Sequence, residues 1–480
     1  MQQLLTESAT TLARRIRAGE VTASEVVEAH IRHVQQLNPT LNAVVFERFG
    51  LARAEAAEAD KKIAACKTQK QRNALPAMLG VPCTIKENFE FEGTPQASGL
   101  VARRHIINDK DAPTVARIRA AGAIPLGVTN TSELCMWMES NNRVYGRTNN
   151  PYNPAHIVGG SSGGEGAIIG SGGSPFGLGA DVGGSIRMPA FFNGVFGHKP
   201  TPGIVPNTGQ VPMPHGDILK YCVTGPLARR AEDLMPLMRI LAGPDAGDPL
   251  AGTVALGDPA TVDLSKLHVI SIHGNGRQAV TADLRQAQRQ CESGLQGKVA
   301  SIHITQLEAL KKSFEIWSAM MGAANDEAFA AQLGEGKAIP VGKELGKWLI
   351  RRSPHTLPAL GLAALERLPL PAKFIAMGET LRAQFLELLD NHGVMLFPSY
   401  TRPAPRHYLP VARTFDWVYT GIINVMQLPA TQVPLGLNAK GLPLGVQVVG
   451  APGRDHETIA VAMELEQQFG GWVPPWQTAA

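Results

Sequence analysis

Ser161 and Ser185 each follow a pair of glycines in the stretch GGSSGGEGAIIGSGGSPFGLGADVGGSIRMP, residues 159–189. Glycine reaches positive φ without the steric cost other residues meet, so successive backbone amides can point into one concavity. Such a nest holds either a phosphate or the oxyanion of an acyl-transfer intermediate. The phosphate option lacks its motifs: there is no G-x-x-x-x-G-K-S/T, and no G-x-G-x-x-G with an acidic residue at the right distance. That leaves an oxyanion, with serine as the nucleophile.

A serine nucleophile needs a base. GGSSG (159–163) formally matches G-x-S-x-G, the turn that carries the serine of a Ser-His-Asp triad. That turn requires a buried strand directly before it, and NPYNPAHIV (150–158) is no central strand. Lysine is the other option. In GVPCTIKENF (80–89), Lys86 closes a short apolar run, and a lysine held away from water can serve where a solvated one cannot. By residue type alone, Lys86 is a candidate no stronger than many lysines at strand ends.

These residues need elements to position them. Thr22 and Glu25 have capping-box spacing, with Val27, Ile31 and Val34 on one helical face, and Leu37-Asn38-Pro39 is expected to stop that helix. A second helix is expected over 51–66, then strands over 76–85 and 123–130 around a helix at 113–121. Residues 141–160 and 200–214 read as loop, and 229–242 as helix. After a polar linker near 244–266, strands are expected at 268–274 and 299–305 around a helix at 280–295. Long helical stretches follow over 306–333 and 340–391. Strands at 396–400, 433–437 and 443–450 precede a last helix that runs from Asp455 to Gly470-Gly471. Strands and helices mixed throughout give an α/β layered fold, and no linker divides the chain.

Composition narrows the class. Of 480 residues, 44% are hydrophobic and 18% charged, which excludes intrinsic disorder. A net charge of +4 without Lys/Arg blocks gives no nucleic-acid partner. Five cysteines, odd in number and widely spaced, form neither a disulfide framework nor a metal motif. They fit a reducing compartment, and with no signal-peptide pattern at the N-terminus the expected location is the cytoplasm. No apolar run is long enough for a membrane span. His30 and His33 share a helix but have no carboxylate partner in their motif, so no metal and no cofactor are expected. Glycine is in surplus, at 50 residues, and 12 of them fall between Gly159 and Gly184.

Gly80-Val81-Pro82 ahead of Lys86, then GGSSGGE, then the second serine in DVGGSIRMP resemble the amidase signature family. The likeness extends to RAGEVTASEVVEAHI and LNPTLNAVV near the start, and to LPATQVPLGLNAKGLPLGVQVVG near the end. It therefore covers nearly the whole chain. Within the family, VTNTSELCMW, MPAFFNGVFGHKPT and FGGWVPPW look closest to the fatty-acid amide hydrolases of the type-2 form.

The resemblance implies a single amidase domain over 1–480 with its catalytic core at about 70–215, built as a large mixed β-sheet with helices on both faces. It implies that Ser185 is the nucleophile, Ser161 the bridging serine on a cis Gly-Ser bond, and Lys86 the base. The amides of Val182, Gly183, Gly184 and Ser185 would bind the oxyanion, with Asp181 and Arg187 bracing the loop. Ser162, next to the bridging serine, is the residue most easily confused with it. Cys135 and Trp137 fall where the family lines the substrate pocket, and core packing is the competing reading for both. Helices within about 340–391 would form an acyl channel or lid, in which Lys343, Lys347 and Arg351 surround Trp348 and leucines fill 357–370, with an amphipathic helix packed on the core, its basic face solvated, as the competing reading. Membrane contact is then at most peripheral, and a homodimer is one assembly the sequence leaves open. The implied substrates are long-chain fatty-acid amides and N-acyl amines. The alternative is a small-substrate amidase or the glutaminase-type subunit of an amidotransferase.

Overall fold

The computed structural model describes residues 2–325, 327–366, 370–390 and 392–477. The strands are β1 (Val44–Glu47), β2 (Pro82–Lys86), β3 (Ile124–Thr129), the short hairpin β4 (Asn141–Asn142) and β5 (Gly146–Arg147), β6 (Phe176–Asp181), β7 (Phe196–Lys199), β8 (Val223–Ala228), β9 (His268–Ser271), β10 (Ser301–Ile304), β11 (Gly393–Phe397), β12 (Ala430–Leu437) and β13 (Pro443–Gly450). All but the hairpin join one 11-stranded sheet in the order β1-β3-β2-β6-β8-β7-β12-β13-β11-β9-β10. Strands β3, β2 and β6 run parallel, as do β10, β9 and β11, and the strands between the two groups are antiparallel.

Alternation along the strands separates two cores. On β11, Val394 and Leu396 join one hydrophobic cluster, while Met395 and Phe397 join another. Side chains on a strand alternate between faces, so the two clusters lie on opposite faces of the sheet. The first takes in Leu12 and Ile16 from helix Ala9–Ala18, Val26 and Val27 from helix Ala23–Leu41, and Ile459 and Leu465 from helix Asp455–Phe469. The second takes in Ile316 from helix Ser313–Ala324, Leu381 and Phe385 from helix Lys373–Leu388, and Ile422 and Val425 from helix Val418–Val425. The mixed sheet covered on both faces is as expected.

Local expectations meet mixed outcomes. The Thr22–Glu25 capping box forms: the Glu25 amide donates to Thr22 Oγ1 at 3.0 Å, and the Thr22 amide to Glu25 Oε2 at 2.8 Å. Pro39 does not stop the helix. It continues to Leu41 and ends at Asn42, in the left-handed region with φ 51°, whose amide reaches the Asn38 carbonyl at 2.7 Å. One missing N–H removes one helical hydrogen bond, and the Asn38 side chain replaces that order by accepting the amides of Ala43 and Val44.

The glycine-rich stretch is the larger surprise. Instead of one nest of amides it folds into helix Gly163–Gly170 and strand β6, both fully buried. A Cβ at Gly163 or Gly164 would collide with Ser140 or Asn130, and one at Gly179 would sit 2.8 Å from Leu227 Cδ1. Most of the surplus therefore serves close packing of buried backbone, and only Gly183 and Gly184 lie in the loop that follows β6.

Candidate active site

Strand pairing brings the candidate residues together. Lys86 is the last residue of β2 and pairs with Thr129 at the end of β3, while β2 runs parallel to β6, which ends at Asp181. Lys86 and the 182–185 loop thus emerge at the same sheet edge, the carboxyl end of parallel strands, where ligands commonly bind in α/β folds. Lys86 is fully buried, and its Nζ donates to Ser161 Oγ at 2.7 Å, its only hydrogen-bond partner among the described residues. The Gly160–Ser161 peptide is cis. Ser140 braces that turn: its hydroxyl lies 3.1 Å from the Gly159 carbonyl and 3.0 Å from the Ser161 carbonyl, and it accepts the Gly163 amide at 2.9 Å.

Exposure orders the three residues. Lys86 is 0% exposed, Ser161 1% and Ser185 8%, so exposure rises outward from the lysine to Ser185. The Ser185 hydroxyl makes no hydrogen bond within the described chain, whereas the Ser185 carbonyl accepts the Ser162 amide at 3.3 Å and ties the two serine turns together. Ser162 points elsewhere, its hydroxyl donating to the Ala180 carbonyl at 3.4 Å. An outer hydroxyl without a partner can attack a substrate, and an inner one bonded to a lysine can pass its proton inward.

Asp181 and Arg187 form a fully buried ion pair at 3.0 Å that fixes the loop between them. Burial acts to raise the Asp181 carboxyl, but the Arg187 guanidinium, Asn424 and the Ile186 amide outweigh it and hold the acid well below its ordinary value. Asp181 Oδ1 also takes the Gly184 amide at 2.7 Å. Gly184 is thereby removed from the expected set of oxyanion donors. Its role is conformational: it has φ +117°, and a Cβ there would collide with Thr420. The amides of Val182, Gly183 and Ser185 have no partner among the described residues.

The profile of the amidase family matches residues 25–459. The chain belongs to the amidase signature family. The amidase is 46% identical to fatty-acid amide hydrolase 2-A of Danio rerio, over 99% of this chain and 91% of the relative, and 44% identical to fatty-acid amide hydrolase 2 of Homo sapiens with the same coverage. A solved fatty acid amide hydrolase shares its fold with a TM-score of 0.78 at 21% identity, over 98% of this chain and 86% of that one. The protein is an amide hydrolase.

Around the amidase site, Cys135 is half-buried at φ 60°, with its Sγ 3.4 Å from Thr131 Oγ1 and 3.5 Å from Ser98 Oγ. The Ser98 amide donates to Glu87, the neighbour of Lys86, at 2.7 Å, so Cys135 faces a loop tied to the end of β2. Trp137 is half-buried against the second core, and its carbonyl crowds Gly160, where a Cβ would collide. No group of three or more His, Cys, Asp or Glu that could hold a metal occurs among the described residues.

Glu165 was visible in GGSSGGE, but its role was not. It is buried below the active turn, accepting the hydroxyls of Thr84 at 2.6 Å and Thr129 at 2.7 Å. Burial pushes its carboxyl from 4.5 up to about 8, with both threonine hydroxyls opposing. An acid raised on folding takes up a proton between these two values, so its contribution to stability falls as pH rises through that window. Glu165→Gln mimics the protonated acid, with one accepting oxygen and one donating end. Relative to wild type, this variant is expected to gain stability from about pH 5 to pH 8, by up to a few kcal/mol. Urea midpoints across that range check this. A difference that does not change with pH would show that Glu165 is ionised throughout.

Proposed function

We propose that Lys86, Ser161 and Ser185 hydrolyse carboxamides through an acyl-enzyme, with long-chain fatty-acid amides and N-acyl amines as substrates. The observation that carries the chemistry is the 2.7 Å bond from a buried lysine to the inner of two serines. Ser185 Oγ attacks the amide carbonyl carbon and passes its proton to Ser161, whose own proton moves to Lys86. The carbonyl oxygen takes up negative charge and meets the free amides of the 182–185 loop. As the C–N bond breaks, the proton returns through Ser161 to the leaving nitrogen, and an amine departs. Water then attacks the ester at Ser185 by the same relay, releasing the carboxylic acid and restoring the serine.

The lipid preference is supported by the near full-length identity to fatty-acid amide hydrolase 2 relatives. An apolar wall beside the site fits it too. Leu134, next to Cys135, packs with Phe329, Leu333, Val341, Ala359 and Ala363 in a third hydrophobic cluster. This cluster draws on helices Val341–Leu349 and Leu357–Leu365 of the expected lid. The lid is anchored by Glu133, which bonds His355 Nδ1 at 2.7 Å and the Thr356 amide at 2.7 Å. Leu349 and Ile350 stay exposed at its edge. Residues 367–369 of the leucine-rich segment lie outside the described residues. No helix among the described residues is long and apolar enough to cross a membrane.

A series of primary amides from acetamide through hexanamide to oleamide tests the preference. kcat/KM is expected to rise with acyl length by about 10²-fold or more, since each buried methylene contributes about 0.8 kcal/mol until the pocket is filled. A flat or falling series would favour a small-substrate amidase.

A further inference from the structure

The loop that carries the oxyanion amides is held from behind by two helices distant in sequence. The two cis peptides among the described residues lie elsewhere, at Gly160–Ser161 and Val211–Pro212. In a trans peptide the carbonyl of one residue and the amide of the next point in opposite directions. Fixing each carbonyl of this loop therefore aims the following N–H.

Three successive carbonyls are fixed by side chains. Asn424 Nδ2 donates to the Asp181 carbonyl at 3.1 Å, Trp317 Nε1 to the Val182 carbonyl at 3.3 Å, and Thr420 Oγ1 lies 2.9 Å from the Gly183 carbonyl. The Thr420 hydroxyl is also 2.9 Å from the Trp417 carbonyl, but that oxygen already accepts the amides of Thr420 and Gly421. The Gly183 carbonyl has no other partner among the described residues, so the hydroxyl proton goes there. The amides aimed the opposite way are those of Val182, Gly183 and Gly184. Gly184 is committed to Asp181, which leaves Val182 and Gly183 free.

Trp317 and Trp417 meet edge to face, with centroids 4.6 Å apart, and a Cβ on Gly183 would meet both rings at van der Waals distance. The Trp317 N–H is bonded to the loop although the side chain is only half-buried. We propose that Trp317 and Thr420 are positioning residues that hold Gly183 from both sides, Trp317 through the Val182 carbonyl and Thr420 through the Gly183 carbonyl, so that the free Gly183 amide faces the oxyanion. The inference rests on the amide-hydrolysis reading with Ser185 as nucleophile.

Trp317→Phe keeps a ring and removes the N–H, while Thr420→Val keeps the shape and removes the hydroxyl. Each is expected to lower kcat about tenfold with KM within about twofold, because the amides matter most where charge develops. Thr420→Ser, which retains the hydroxyl, is expected to restore kcat to within about threefold of wild type. Affinity for a trifluoromethyl ketone, which forms a charged tetrahedral adduct at Ser185, should fall about as much as kcat. Rates are taken per active site, titrated with a fluorophosphonate, so a partly unfolded variant does not mimic the effect. Unchanged kcat in both Trp317→Phe and Thr420→Val would overturn the inference alone, as would a rise in KM with kcat preserved. A wild type that hydrolyses no amide and takes up no fluorophosphonate would overturn the underlying reading and this inference with it.

Discussion

Ser185→Ala is expected to lower kcat for amide hydrolysis by about 10⁴-fold or more and to abolish fluorophosphonate labelling. No other hydroxyl of the site can take its place, because Ser161 is closed off at 1% exposure and bonded to Lys86, and Ser162 is turned toward the Ala180 carbonyl. The same substitution is expected to leave stability within about 0.5 kcal/mol, since the Ser185 hydroxyl has no partner within the described chain. Ser161→Ala should behave differently. It strips the buried Lys86 Nζ of its hydrogen-bond acceptor, so activity and stability fall together, the latter by about 1–3 kcal/mol. Rates measured beside urea midpoints separate the two serines. If Ser185→Ala keeps activity, the nucleophile is elsewhere and the proposed relay is wrong.

The positions proposed to do chemistry were legible through short motifs, Lys86 only once the family resemblance singled it out. Lys86, the GGSS turn and the serine of DVGGS are each set by a local constraint: a strand end, a glycine that must pack tightly, a loop that must turn. The residues that support them were not legible. Thr84, Thr129 and Ser140 come to the site through sheet register and loop packing, while Trp317, Thr420 and Asn424 come from helices more than 130 positions beyond the loop they hold. Nothing in a single sequence marks a tryptophan whose N–H meets one particular carbonyl. The glycines misled in the opposite sense. Their density suggested a long nest, yet those of 163–170 and 176–181 lie in a buried helix and strand, where the absence of a side chain lets backbones approach. Periodicity found the outer helices well but missed β6, β7 and β8, whose sequences are short, glycine- or proline-containing and buried on both faces, so they show no alternation.

The proposed chemistry also depends on how the antiparallel centre of the sheet is joined to Ser185. Arg187 follows Ser185 by two residues, and its guanidinium bonds Asp181 Oδ2 at 3.1 Å and Oδ1 at 3.0 Å, Gln447 Oε1 at 2.8 Å, the Thr420 carbonyl at 3.0 Å and Asn424 Oδ1 at 2.6 Å. Gln447 lies on β13, and Thr420 and Asn424 lie on helix Val418–Val425. One side chain thus links the end of β6, the Ser185 turn, the antiparallel centre of the sheet and the helix behind the 182–185 loop.

Arg187→Met is therefore expected to cost about 3–5 kcal/mol, the range for leaving one partner of a buried pair behind, and to lower kcat because Asp181 no longer holds the Gly184 amide in place. Arg187→Lys should not restore either quantity, since a single ammonium cannot reproduce a planar fork with contacts on Nε, Nη1 and Nη2. The pH dependence identifies the cause. In wild type Asp181 is held below its ordinary value of 3.8, so its pairing stabilises the fold above that value and is lost as pH falls through the depressed one. Without Arg187 the buried carboxyl is destabilised in its charged form and takes up a proton on folding, so the variant recovers relative stability in acid. The gap in urea midpoint between wild type and Arg187→Met should be widest near neutral pH and narrow toward about pH 4. A gap independent of pH would mean that Arg187 acts through packing alone, and full rescue by lysine would mean that charge without the fork is enough.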